Sequence, residues 1–208
     1  MKSILLYARL SNEWYARDIS RKVTKALRTR HENGAHYGAY APLGYRKDPE
    51  QVGHLLVDDE TKWIIEKIFA LAVQGNGPSK IANLLIAEQI STPSWFQFQR
   101  YGTFAHIYEG QPEAKRYAWS ITQVKSILQD ENSIGNSVHN RQANVSYKSK
   151  KRIHKPKDEW WKVENTHEAI ISREDFDRVQ EHIASRRRRQ KDGTTQIFAG
   201  LVKCADCG

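Results

Sequence analysis

The chain opens on a short apolar run, Ile4-Leu5-Leu6-Tyr7, with the length and texture of a buried strand. From Glu13 to about His31 it has no Gly or Pro and is rich in helix formers, and Asn33-Gly34 follows as a stop; this predicts one helix of about five turns. Gly34 to Tyr45 holds three glycines, a proline and small residues, a composition that disfavours helix and suits an extended path. Gly53-His-Leu-Leu-Val57 predicts a short strand, and Asp58-Asp59-Glu60 the acidic start of a helix. Trp63, Ile64, Ile68, Phe69, Leu71 and Ala72 carry the apolar face of that helix as far as Gly75. Pro78-Ser79 opens a further helix, with Ile81, Ala82, Leu84, Leu85 and Ile86 apolar, closing near Ser91-Thr92-Pro93. Residues 94 to 118 are aromatic-rich without a period and are expected to be irregular, whereas Trp119 to Leu128 is helical, with Ile121, Val124, Ile127 and Leu128 on one side. Asn136 to Lys157 is polar and basic, a hairpin or loop. Trp160-Trp161-Lys-Val163 reads as a strand, and a last helix is capped by Ser172 with Asp175 and buries Phe176, Val179 and Ile183. The expected fold class is α+β, mainly α-helical with a small β component.

Charge narrows the partners. The 208 residues, enough for one large domain or two small ones, carry 33 Lys+Arg against 24 Asp+Glu, a net charge of +9. No run approaches the roughly 18 apolar residues of a membrane span. No long basic helix has a continuous lipid-facing stripe, so the polyanion expected is nucleic acid and not a membrane. Arg17, Arg21, Lys25 and Arg28 recur at steps of four, four and three, which puts four cations on one helix face. Such a face is either simply solvated or tracks phosphates. The slim residues of 34 to 45 either make ordinary turns or let the backbone enter a narrow surface such as the DNA minor groove. The helices Pro78 to Gln89 and Ser120 to Leu128 form either a plain helical pair or a helix-turn-helix with an enlarged connection. The second arrangement would bring Tyr117, Ser120, Thr122, Gln123 and Lys125 to base edges and phosphates. Arg186, Arg187, Arg188 and Arg189, with Lys191, make a basic block suited to DNA. Cys204 and Cys207 form one CxxC, half of a tetrahedral zinc set, and the eight histidines follow no metal-ligand spacing.

Several of these stretches, taken in order, resemble the large serine recombinases, a group that includes phage integrases and mobile-element transposases. They are Asn12-Glu-Trp-Tyr-Ala-Arg-Asp-Ile-Ser-Arg-Lys-Val23, Pro42-Leu-Gly-Tyr45, Ser79-Lys-Ile-Ala82, Trp119 to Leu128, and His167-Glu-Ala-Ile-Ile-Ser172 with Phe176. The resemblance covers about residues 12 to 208. It implies that residues 1–11 are a remnant of the catalytic strand, with Ser11 as the former nucleophile and Arg9 as the former phosphate ligand. Residues 12–33 would be the helix leaving the catalytic domain, and 34–45 a minor-groove linker acting through Gly34, Tyr37, Gly38, Tyr40, Pro42 and Tyr45. Residues 46–185 would be the recombinase DNA-binding domain, 186–197 a basic linker, and 198–208 the truncated start of a zinc ribbon. Zinc belongs to the complete ribbon, so no cofactor is expected in this stretch. Most of the catalytic domain is missing between Ser11 and the exit helix. One Arg beside one Ser cannot surround a transferred phosphate with positioned cations. The implied activity is therefore binding of duplex attachment-site DNA without strand cleavage by this chain alone. The implied partners are double-stranded DNA and other recombinase subunits, in a bacterial or phage-encoded protein of the cytoplasm. Two alternatives stay open: a free-standing helix-turn-helix-like transcription regulator, and a recombinase subunit complemented in trans.

Overall fold

The structure is a computed structural model that describes residues 2–145, 149 and 151–185, with side chains from residue 13 onward. Among these the fold is mainly α-helical, with three small two-stranded antiparallel sheets. The chain divides into two compact units. One is Met1–Asp58 with Glu131–Ala169, and the other is Asp59–Asp130 with the chain from Ile170 onward. The block expected as one domain over 46–185 is thus shared between two units.

The first unit begins with α1, Lys2–Glu32, a single helix of 31 residues. The strand expected at residues 1–11 is absent: Lys2 to Ser11 form the first turns of α1. Nothing between Ile4 and Glu13 breaks a helix, and a four-residue apolar run carries no period that separates strand from helix. The helix stops where the sequence says it should. Gly34 adopts a left-handed φ of 72°, its N–H donates to His31 O at 2.9 Å, and the Ala35 N–H donates to Arg30 O at 3.2 Å. β1 (Tyr45–Lys47) pairs with β2 (Leu55–Val57), Tyr45 opposite Val57. β3 (Ser137–His139) pairs with β6 (Trp161–Val163), and β4 (Gln142–Asn144) with β5 (Arg152–His154). Tyr45, Leu55, Ile134 and Val138 are buried here. The buried Asn136 is satisfied by Glu131 Oε2 at 3.0 Å and by the Asn165 N–H at 3.3 Å.

The second unit holds α2 (Lys62–Val73), α3 (Pro78–Ala87), α4 (Pro93–Tyr101), α5 (Ala105–Tyr108), α6 (Ile121–Leu128) and α7 (Arg173–Ser185). Ile64, Ile68, Phe69, Ile81, Leu85, Val124, Leu128, Phe176 and Val179 form its core, with the Phe69 and Phe176 rings stacked 6.0 Å apart. Trp63, Ile86 and Ile121, expected on buried faces, are exposed instead, Ile121 to 46%. The stretch 94 to 118, expected to be irregular, contains α4, α5 and a 3-10 turn at Glu113–Tyr117. Aromatic residues are only moderate helix formers, so tertiary contacts make these helices. Trp95, Phe98 and Tyr108 pack at 5.1–5.6 Å. The hydroxyls of Thr92, Ser94 and Tyr108 bond to one another, and Thr92 N–H donates to Arg116 O at 3.0 Å. No helix of the described residues is long and apolar enough to cross a membrane.

Candidate nucleic-acid interface

The four cations expected along the first helix are all exposed on α1. Arg21, Lys25 and Arg28 line a groove of about 590 Å³ together with Ser20, Thr24 and Trp161. Arg28 is held in place: its Nε lies 2.9 Å from Glu32 Oε1 and its guanidinium 5.8 Å from the Trp161 ring. Arg17, Arg21 and Lys25 make no ion pair among the described residues. Trp161 is the residue the sequence reading missed here. Its pattern showed a strand, and only the pairing of β6 with β3 sets it beside α1.

At one corner of this surface two histidines are biased towards their neutral form. The His31 and His139 rings stack 3.6 Å apart, with Tyr37 and Trp161 at 6.0 and 5.8 Å from His31. Burial pushes His139 down to about 4, and the neighbouring His31, His36 and Arg141 add to the effect. Burial also lowers His31.

The segment 34 to 45 divides into an inner and an outer part. A β-carbon on Gly34 would lie 2.5 Å from Thr166 Cγ2, so its slimness accommodates a side chain of the same protein. His36 N–H donates to Gly53 O at 2.7 Å, and Tyr37 packs against His31 and under the Arg30 guanidinium at 5.0 Å. Tyr45, expected at DNA, is instead a core residue, 3% exposed, with its hydroxyl 2.9 Å from the carbonyl oxygens of both Asn132 and Glu168. Pro42 is half-buried, whereas Gly38 and Tyr40 are exposed.

At the start of α6, Ser120 and Gln123 form a capping box. Ser120 Oγ accepts from the Gln123 N–H at 3.2 Å, and Gln123 Oε1 accepts from the Ser120 N–H at 2.8 Å. These two therefore hold the helix start. Thr122 and Lys125 are exposed, and Lys125 lines a groove of about 450 Å³ with Gly77, Pro78, Ser79, Ile121, Gln129 and Ile183. Tyr117 is half-buried, its hydroxyl donating to Glu113 Oε1 at 3.3 Å and its ring 5.2 Å from the Arg116 guanidinium. Arg116, not singled out in the sequence, also covers the Trp95 ring at 4.9 Å and donates to Ser91 Oγ at 2.7 Å.

Arg186 to Arg189, Cys204 and Cys207 lie outside the described residues, as do the side chains of Arg9 and Ser11. Among the described residues no group of three or more His, Cys, Asp or Glu is placed to hold a metal ion.

Three comparisons bear on this surface. The family model Recombinase matches residues 59–186, more than half of the chain. The uncharacterized protein YefB of Bacillus subtilis (strain 168) is 30% identical over 89 residues, which is 43% of this chain and 30% of that protein. The crystal structure of an LSR–DNA complex is similar with a TM-score of 0.51 at 17% identity, covering 89% of this chain and 45% of that one. At that identity the likeness is one of fold. The chain spans less than half the length of either relative.

Proposed function

Because the chain belongs to the recombinase family, matched over residues 59–186, we propose that it is the part of a serine recombinase that grips duplex DNA at an attachment site. The observation that carries this reading is the exposed row on α1, where Arg17, Arg21 and Lys25 make no ion pair among the described residues and stand beside Arg28. Like charges at helical spacing repel unless a polyanion lies alongside, and duplex phosphates supply one. The DNA in the LSR complex supports the same partner. In this reading the α1 row and the Arg186 to Arg189 block hold phosphates, Gly38 and Tyr40 approach the minor groove, and Thr122 and Lys125 face bases. Ser120 and Gln123 keep that helix start in shape. The reading assigns binding, and not strand cleavage, to this chain. A covalent serine–DNA product formed with attachment-site DNA would overturn that part.

An exposed apolar stripe supports further subunits as partners in this reading. Tyr15, Ile19, Val23 and Leu27 recur at steps of four on α1, and all are exposed. Sedimentation of the chain with and without DNA tests whether this stripe pairs.

The main test is a duplex titration between about 50 and about 200 mM salt, where phosphate contacts give a steep fall in affinity. Replacing Arg17, Arg21 and Lys25 by Ala is expected to weaken binding and to lower the salt slope by about 0.9 for each phosphate that is no longer neutralised. Affinity that ignores salt, or that survives the triple change with its slope intact, would sink the reading.

A further inference from the structure

The β4–β5 ribbon has no part in the reading above. Its strands form a two-stranded sheet of their own, with Gln142 opposite His154, Ala143 opposite Ile153 and Asn144 opposite Arg152. Opposite residues of an antiparallel pair share a face, and neighbours along a strand alternate. Gln142, Asn144, Arg152 and His154 therefore stand together on one side, and all four are exposed. An isolated two-stranded ribbon is marginal in water, but this one has a built root. Trp160 Nε1 donates to Lys155 O at 3.0 Å, the Arg141 guanidinium lies 5.2 Å from the Trp160 ring, and Asn140 Nδ2 donates to Glu159 O at 2.9 Å. Lys155 N–H to Arg141 O closes the root at 3.0 Å.

We infer that this ribbon reads base edges in the major groove of duplex DNA, with Gln142, Asn144 and Arg152 as the reading side chains. The inference rests on the DNA-binding reading of the chain and adds a base-reading element to it. Three observations favour it. The first is side-chain type: Asn and Gln match the N6 and N7 edge of adenine, and Arg the O6 and N7 edge of guanine. The second is size, since a pair of strands about 4.8 Å apart fits a groove about 12 Å wide. The third is charge. From Asn132 to Lys157 the sequence has seven Lys or Arg and no Asp or Glu, which suits phosphates flanking the groove. The other face, with Ile153 47% and Val145 55% exposed, would suit an apolar protein partner, and it provides the control.

The test uses the whole chain and a pool of random-sequence duplexes. Preferred sequences are selected, and interference by guanine N7 methylation, a major-groove mark, is mapped on the selected duplex. Asn144→Ala and Arg152→Ala are each expected to lower the preference for selected over random duplex roughly ten-fold, and Arg152→Ala to erase interference at a guanine. Arg152→Lys, which keeps the charge but not the fork, is expected to show the same drop in preference with the salt slope unchanged. Circular dichroism confirms that each variant is folded. Unchanged preference and interference in all three variants would overturn the inference while leaving the DNA-binding reading intact, as would a drop confined to Ile153→Ser. If the wild-type chain binds no duplex, both readings fall together.

Discussion

At Gly34 two demands meet, a left-handed φ of 72° and the absence of a β-carbon 2.5 Å from Thr166 Cγ2. Gly34→Ala is expected to cost about 1–2 kcal/mol for the backbone alone, with the clash added, and to lower the urea midpoint. Combining it with Thr166→Ser should relieve the clash and leave the backbone cost. The stop at Gly34 was legible, because an Asn-Gly after a long helical run has a local cause. The use of its slimness was not: small size reads the same whether the neighbour is DNA or Thr166. Tyr45 teaches the same point more sharply. Its hydroxyl meets carbonyls 87 and 123 residues further along, and no local pattern carries that information.

Among the elements, α6 separates a residue that shapes a surface from one that offers it. Ser120→Ala removes the cap and is expected to cost about 1 kcal/mol in thermal stability. Thr122→Ala, on the exposed side, should leave stability within about 0.5 kcal/mol and change duplex binding instead, which melting and anisotropy measurements distinguish. Capping was legible at Ser172–Asp175 but missed at Ser120–Gln123, which has the same three-residue spacing and was expected at base edges. α4 was hidden because Trp95, Phe96 and Phe98 have little intrinsic drive to be helical. Contacts to Tyr108 and Arg116 decide their conformation. At Ile4 to Tyr7 the local signal was too short to choose, and the continuity of α1 through residues 2–11 settled it.

At the scale of the whole molecule, acid should act on one unit. His139 sits at about 4 in the folded chain against an ordinary 6.5, so the unfolded chain takes up the proton first. The stability this contributes is complete above about 6.5 and is lost progressively as pH falls towards 4. Between pH 7 and pH 5 the amides of β3 and β6 are expected to lose hydrogen-exchange protection while those of α2 and α3 keep theirs. His139→Gln should flatten the difference. The family's motif order was legible along the chain, because each motif is local. The division into two units was not, because it depends on β3 finding β6 and on Tyr45 reaching Asn132. That division has a practical sequel. The backbone passes between the units three times, so a gene fragment trimmed to the matched boundaries would begin at residue 59 and would strand residues 131–169 without the tyrosine that plugs them. The smallest self-sufficient piece must reach back past Tyr45, since what is contiguous in the gene is not what is autonomous in the fold.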